Sequence, residues 1–178
     1  LPQDDDIAEV ARGLGVRCVR GPLDDVLARY VLAARETNAE VVVRVTADCP
    51  LIDPDIMSRT IGFLRGDADF VSNSLDRSYP RGLDTEAFHV DALYRAHRMA
   101  YSPVDREHVG TWFYRTAPNL NVVVSVKDHQ DNSAENWCVD EPADLERVRK
   151  IVKCCGPDAS WTQVLGTRGI WDRRLKAA

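Results

Sequence analysis

No apolar run in this chain approaches the roughly 18–20 residues needed to span a bilayer, and no signal-peptide pattern opens it. No run of Lys and Arg is present, and the net charge of -5 argues against a nucleic-acid partner. No CxxC spacing joins Cys18, Cys49, Cys138, Cys154 and Cys155, and five is an odd number. A reduced, cytoplasmic protein is therefore expected, with the cysteines as packing residues and no zinc site. No internal repeat and no low-complexity linker divides the chain. It opens Leu1-Pro2-Gln3 without an initiator Met, and Asp4, Asp5 and Asp6 lead straight into a helical pattern. The expectation is that the polypeptide starts further upstream.

What is present is an ordinary globular composition, 44% hydrophobic and 29% charged over 178 residues, enough for one domain (1–178) with a real core. The stretch Val41–Asp55 (VVVRVTADCPLIDPD) organises the rest. Val41, Val42, Val43 and Val45 form a β-branched run of the kind found in strands covered on both faces. Asp48 stands where that strand leaves the sheet, and Pro50 blocks its continuation. Asp53-Pro54-Asp55 is a helix start, with Asp at the N-cap and Pro in the first turn. Ligands of open α/β sheets bind beyond the carboxyl ends of strands, which makes Asp48 the first candidate functional residue.

In chain order, Ile7, Val10, Ala11 and Leu14 predict an amphipathic helix stopped by Gly13 and Gly15. Val16–Val19 reads as a short strand, and 24–36 as a helix. A strand at Val41–Val45, a helix from Pro54 to about Leu64 and a strand at Asp69–Asn73 follow. This α-β-α-β-α-β order predicts an α/β fold with a mostly parallel sheet, helices on its faces and right-handed crossovers. Ser74–Asp84 is a polar loop of functional type. Glu86–His89 predicts a strand and Asp91–Ala100 a helix. Ser102-Pro103 starts a helix reaching about Arg115, and Leu120–Val126 alternates as a strand. Asn136–Asp140 predicts a short strand before a helix started by Pro142. The tail, 156–178, carries Trp161, Leu165, Ile170 and Trp171 among Arg168, Arg173, Arg174 and Lys176, as a docked helix or a partner surface.

Two places share one design, a strand ending in Asp and then a proline-started helix: Val45–Pro50 and Trp137–Pro142. With both strands parallel in one sheet, Asp48 and Asp140 project over the same edge. Two hard carboxylates with room for water and phosphate oxygens suit Mg²⁺. The alternative is that each Asp caps the helix after it. Glu141 stands where a small hydroxyl cap is usual, which favours that capping role for Asp140. The loop from Ser78 to Glu86 gathers Tyr79, Arg81, Asp84 and Glu86 around a Pro and a Gly. Arg81 can hold a carboxylate or phosphate bidentately, and the two acids can accept hydrogen bonds from sugar hydroxyls; the alternative is a solvated turn. Arg106, Glu107 and His108 are adjacent on a helix and point different ways, so spacing alone favours a surface salt bridge. His89, His97 and His129 lack ligand spacing and read as structural. Asp53-Pro54-Asp55 resembles the DxD of glycosyltransferases, but Pro54 makes it a helix cap.

VVVRVTADCPLIDPDI, DFVSNS, YPRGLDTEAF, REHV and WCVDEPADLERV, taken together and in this order, resemble the cytidylyltransferases of the spore-coat-polysaccharide type. These are relatives of the CMP-Kdo and CMP-sialic acid synthetases, and the resemblance runs from about Asp4 to Lys153. It implies a Rossmann-like, GT-A-like nucleotidyltransferase fold with a mixed, mostly parallel sheet. It also implies CTP as donor, Mg²⁺ as cofactor, and transfer of CMP to an acidic sugar or similar hydroxyl acceptor with release of pyrophosphate. The family's metal-binding aspartates match Asp48 and Asp140, and Arg81, on the acceptor side, takes a catalytic role by neutralising an anionic acceptor. The acceptor-side positions match Tyr79, Asp84, Glu86, Arg106, Glu107 and His108. A homodimer suits the family. Nothing here corresponds to the family's opening strand and its Gly/Arg/Lys-rich loop that wraps the CTP phosphates. An upstream segment, or another chain, is expected to supply them. A glycosyltransferase using a nucleotide-sugar and a non-catalytic relative acting as a partner domain are the competing readings.

Overall fold

The computed structural model describes residues 2–169; Ile170, Trp171, Arg173, Arg174 and Lys176 of the tail lie outside them. Seven α-helices and four strands follow one another as α1 (Asp5–Gly13), α2 (Val26–Thr37), β1 (Val41–Arg44), α3 (Pro54–Ile61), β2 (Phe70–Ser72), β3 (Glu86–His89), α4 (Val90–Met99), α5 (Pro103–His108), β4 (Val123–Ser125), α6 (Pro142–Cys155) and α7 (Trp161–Gly166). The strands form one mixed sheet in the order β1-β3-β2-β4. The described residues fall into two compact units: 2–42, 67–70 and 88–123 in the first, and 43–66, 71–87 and 124–169 in the second.

In the first unit, α2 starts on Asp25, whose carboxylate accepts from the Ala28 amide at 2.9 Å. The helix ends on Asn38 in the left-handed conformation that Asn tolerates. It packs against α4 and α5. The core here is aromatic: Phe70 stacks on Phe113 at 4.9 Å and on Phe88 at 6.1 Å, with Tyr30 edge-on to Phe88. Val16–Val19 forms no strand. A short alternating segment becomes a strand only when another backbone completes its ladder, and among the described residues none does. The helix expected over 103–115 stops at His108 and resumes as a π-type turn over Trp112–Thr116. Val109 between them has φ +52°, a costly conformation for a β-branched residue. Buried Asp105 over-determines this break, because one of its carboxylate oxygens accepts from both Thr111 Oγ1 and Thr116 Oγ1 at 2.8 Å.

In the second unit, α3 and α7 share one buried cap. Asp53 Oδ1 accepts from the Asp55 and Ile56 amides at 2.9 and 3.1 Å, while its Oδ2 accepts from the Trp161 amide at 2.9 Å. The Asp53-Pro54-Asp55 start therefore does the capping expected of it. The core gathers Leu83, Trp137, Ile151 and Val164, with Trp161 and Leu165 of the tail packed against them. The strand expected at Asn136–Asp140 is not one. Arg81 and Asn136 instead make an isolated parallel bridge, in which the Arg81 amide donates to Glu135 O (2.9 Å) and the Trp137 amide to Arg81 O (2.7 Å). Two polar loops can pair for only a residue or two before their turns pull them apart.

Gly82 makes that pairing possible. Its φ is +103°, and a Cβ there would lie 2.8 Å from the Trp137 carbonyl carbon and 3.0 Å from the Cys138 nitrogen. Gly82→Ala is expected to destabilise the protein by about 2 kcal/mol or more, read as a lower urea midpoint. An unchanged midpoint would show that the two loops are not held by this contact.

Candidate active site

Asp48 sits in a tight turn beyond β1, in which the Cys49 amide donates to Thr46 O and the Ile52 amide to Cys49 O. The amide of Val139 donates to the backbone oxygen of Asp48 at 2.8 Å. That bond places Asp140, the next residue, beside Asp48 although the two are far apart in sequence. Arg81 interacts with both: its guanidinium is 3.7 Å from Asp140 Oδ2, and its charge lowers the pKa of Asp48. Neither aspartate caps a helix. Asp53 caps α3, and at α6 the Asp144 carboxylate reaches back to the Asp140 and Glu141 amides, both at 3.0 Å. The capping role weighed for Asp140 is thereby overturned, because Asp144 already satisfies the orphan amides.

The hydrogen bond from Thr46 holds the Asp48 carboxyl below the usual carboxylate range, assisted by Cys49 and Arg81 and opposed by partial burial. Two thiols lie behind it. Cys49 Sγ is 3.6 Å from Asp48 Oδ1 and 3.7 Å from Cys138 Sγ. Burial pushes the Cys49 thiol up to about 12 and also raises that of Cys138. The hard donors that could hold a Mg²⁺ ion are therefore the Asp48 and Asp140 carboxylates. Both are partly exposed, which leaves room for waters and phosphate oxygens.

The remaining candidates divide between the two units. In the second, Tyr79 is buried with its ring edge-on to Trp161 at 5.5 Å, its hydroxyl finds no hydrogen-bond partner among the described residues, and burial raises its pKa. Asp84 receives a two-pronged bond from Arg77, at 2.5 and 2.7 Å. Glu86 is buried and accepts from Arg44 at 3.0 Å. Arg77 and Arg44 were not singled out by the sequence; the arginine seven residues before Asp84 was the available signal. In the first unit, Arg106 is held by Asp25, by His97 Nδ1 and by the carbonyls of His97 and Ala100, while Glu107 and His108 are exposed on the same short helix.

An α/β fold that presents two carboxylates and an arginine just past its first strand has the frame of enzymes handling phosphorylated ligands. Comparison with known proteins makes this specific. The cytidylyltransferase family model matches residues 2–163, and the chain belongs to that family. It is 34% identical over 119 residues to the uncharacterized protein MJ1063 of Methanocaldococcus jannaschii, spanning 66% of this chain and 47% of that protein. It is 27% identical over 159 residues to the spore coat polysaccharide biosynthesis protein SpsF of Bacillus subtilis, spanning 85% of this chain and 64% of that protein. A solved cytidylyltransferase from Leptospira borgpetersenii serovar Hardjo-bovis superposes with a TM-score of 0.88 at 26% identity, covering 93% of this chain and 71% of that one. The chain thus spans between about half and two thirds of the curated relatives it matches.

Thr46→Val removes the donor that favours ionised Asp48, so the pKa of Asp48 is expected to rise toward the ordinary carboxylate value. The stability linked to this shift is present above the ordinary carboxylate range and fades as pH falls through the lowered value, so the variant lacks it. NMR titration of the side-chain carboxyls reads the change. No upward movement at Asp48 would refute the assigned cause.

Proposed function

We propose that the protein is a CTP-dependent cytidylyltransferase that transfers CMP to a small anionic acceptor, an acidic sugar or similar hydroxyl compound, and releases pyrophosphate. The observation that carries the reading is the convergence of Asp48 and Asp140 through the Val139–Asp48 backbone bond, with Arg81 beside both. Family membership and the Leptospira cytidylyltransferase support the reaction class, and the SpsF relative supports a role in supplying surface polysaccharide.

In this reading the acceptor oxygen attacks the α-phosphorus of CTP in line and pyrophosphate leaves. Asp48 and Asp140 would hold Mg²⁺, which when bound supplies positive charge against the phosphates and the leaving group. Thr46 lowers the Asp48 pKa, adding to an ionisation that a carboxylate already has at neutral pH. Arg81 exchanges its loose contact with Asp140 for the anionic acceptor, offsetting the repulsion expected from a chain of net charge -5. Arg77 fixes the Asp84 carboxylate, and Arg44 that of Glu86, so the loop presents acceptor-binding groups in defined positions. Tyr79, buried together with its hydroxyl, would support the same loop from beneath.

The test is Mg²⁺-dependent pyrophosphate release from CTP with a panel of acidic sugars, Kdo and sialic-acid-like compounds included, and hydroxy-phosphonates. Asp48→Ala and Asp140→Ala are each expected to lower kcat about 100-fold or more, the scale of losing a charge-stabilising group. Near-normal turnover in Asp48→Ala, or no CTP-dependent release with any acceptor, would overturn the assignment.

A further inference from the structure

The thiols behind Asp48 are not accounted for by cytidylyl transfer. Cys49 and Cys138 come from segments 89 residues apart, yet their sulfurs stand 3.7 Å from each other. Asp48 Oδ1 lies 3.6 Å from Cys49 Sγ. One ligand atom from each of the three residues falls within 4.8 Å of the other two. Sulfurs sharing one tetrahedral zinc at about 2.3 Å stand about 3.8 Å apart, whereas a disulfide needs about 2.05 Å. The observed separation fits two ligands of one ion, as it also fits two thiols in contact. Their backbones are also fixed before any ion arrives. The Cys138 amide is held by Asn136 Oδ1 at 3.0 Å, and the adjoining Val139 amide by the Asp48 carbonyl at 2.8 Å. Both thiols are buried, while Asp48 is only partly so and opens the third side of the site.

We propose that Asp48, Cys49 and Cys138 form a site for a thiophilic divalent cation of the Zn²⁺ or Cd²⁺ type, with a water completing the tetrahedron. The ion bonds to both sulfurs and one carboxylate oxygen, and the two thiol protons leave to solvent. Mg²⁺ does not compete for the sulfurs, because it is a hard ion with little affinity for thiolate. No CxxC motif announces the site, because its ligands come from two turns that meet only in the folded protein. The consequence for activity rests on the proposed function: an ion that takes Asp48 removes it from the carboxylate pair, so zinc would inhibit cytidylyl transfer.

The experiment is a Cd²⁺ titration of the fully reduced protein, followed by thiolate-to-metal charge-transfer absorption in the ultraviolet. One equivalent is expected to bind, to be displaced by Zn²⁺, and to be indifferent to Mg²⁺. The band should survive in the double variant Cys154→Ser/Cys155→Ser, which leaves the proposed ligands untouched, and in Cys18→Ser. Cys49→Ser and Cys138→Ser should each weaken binding by more than about 100-fold, the most that losing a group which merely supports a ligand costs. X-ray absorption of the zinc-loaded Cys154→Ser/Cys155→Ser protein should show two sulfur neighbours, a reading that stands even where Cys49→Ser or Cys138→Ser fails to fold. No band in the wild type, a band abolished in Cys154→Ser/Cys155→Ser, or a zinc shell without two sulfurs would overturn the site. Because binding is read without turnover, these outcomes are separate from the fate of the transferase reading, and zinc bound without inhibition would overturn only the regulatory consequence.

Discussion

A single backbone hydrogen bond, from the Val139 amide to the Asp48 carbonyl, joins the two segments that carry the candidate site of the second unit. Each partner lies in an irregular segment, the one beyond β1 and the other before α6, and the second has no strand to lean on. The bond is reinforced one step away by the Arg81–Asn136 bridge, and that bridge is possible only because residue 82 has no side chain. A net backbone hydrogen bond is worth about 1 kcal/mol. The arrangement therefore depends on the core beneath it, where Leu83 and Trp137 are buried together. Packing of these two side chains sets the loops at the distance the backbone bond needs.

The placement of acids follows a division of labour. Every helix start has amides to satisfy, and a nearby aspartate is the usual way to satisfy them. Here Asp53 and Asp144 take that role. The aspartates just upstream of them, Asp48 and Asp140, are spared it. A carboxylate at a strand end is available for a ligand only when another acid has met the demands of the following helix. The sequence pairs Asp48 with Asp53 and Asp140 with Asp144 accordingly.

The same distinction explains what the sequence reveals. Asp53-Pro54 and Pro142 are local signals, and α3 and α6 begin where they say; the valine run becomes β1, and Glu86–His89 becomes β3. Local pattern fails where a partner decides. Val16–Val19 has strand composition but no pairing strand among the described residues. Asn136–Asp140 also reads as a strand, yet it makes one bridge and turns away. The break at Val109 is written in no helix-breaking residue at that position; it arises from Asp105 binding two threonine hydroxyls further on. At the site, the sequence singles out Asp48, Asp140 and Arg81 by residue type and by the prolines that follow the two acids, although the strand expected before Asp140 does not form. The proximity of Cys49 to Cys138 was not legible, since only the fold brings them together.

The two arginines flanking the site show why geometry matters more than residue type. Arg77 grips Asp84 with two parallel, half-buried bonds, a geometry in which both partners are fixed and a ligand would have to break two short contacts. Arg81 faces Asp140 at 3.7 Å with more than half of each side chain exposed. Exposed pairs of that kind contribute about 0–1 kcal/mol, so an incoming anion displaces the contact at little cost. Arg77 is thus fixed by its partner, whereas Arg81 is the more easily displaced of the two. The cation that is weakly held in the resting protein is the one that interacts with both carboxylates, which suits it to the anionic acceptor of the proposed function.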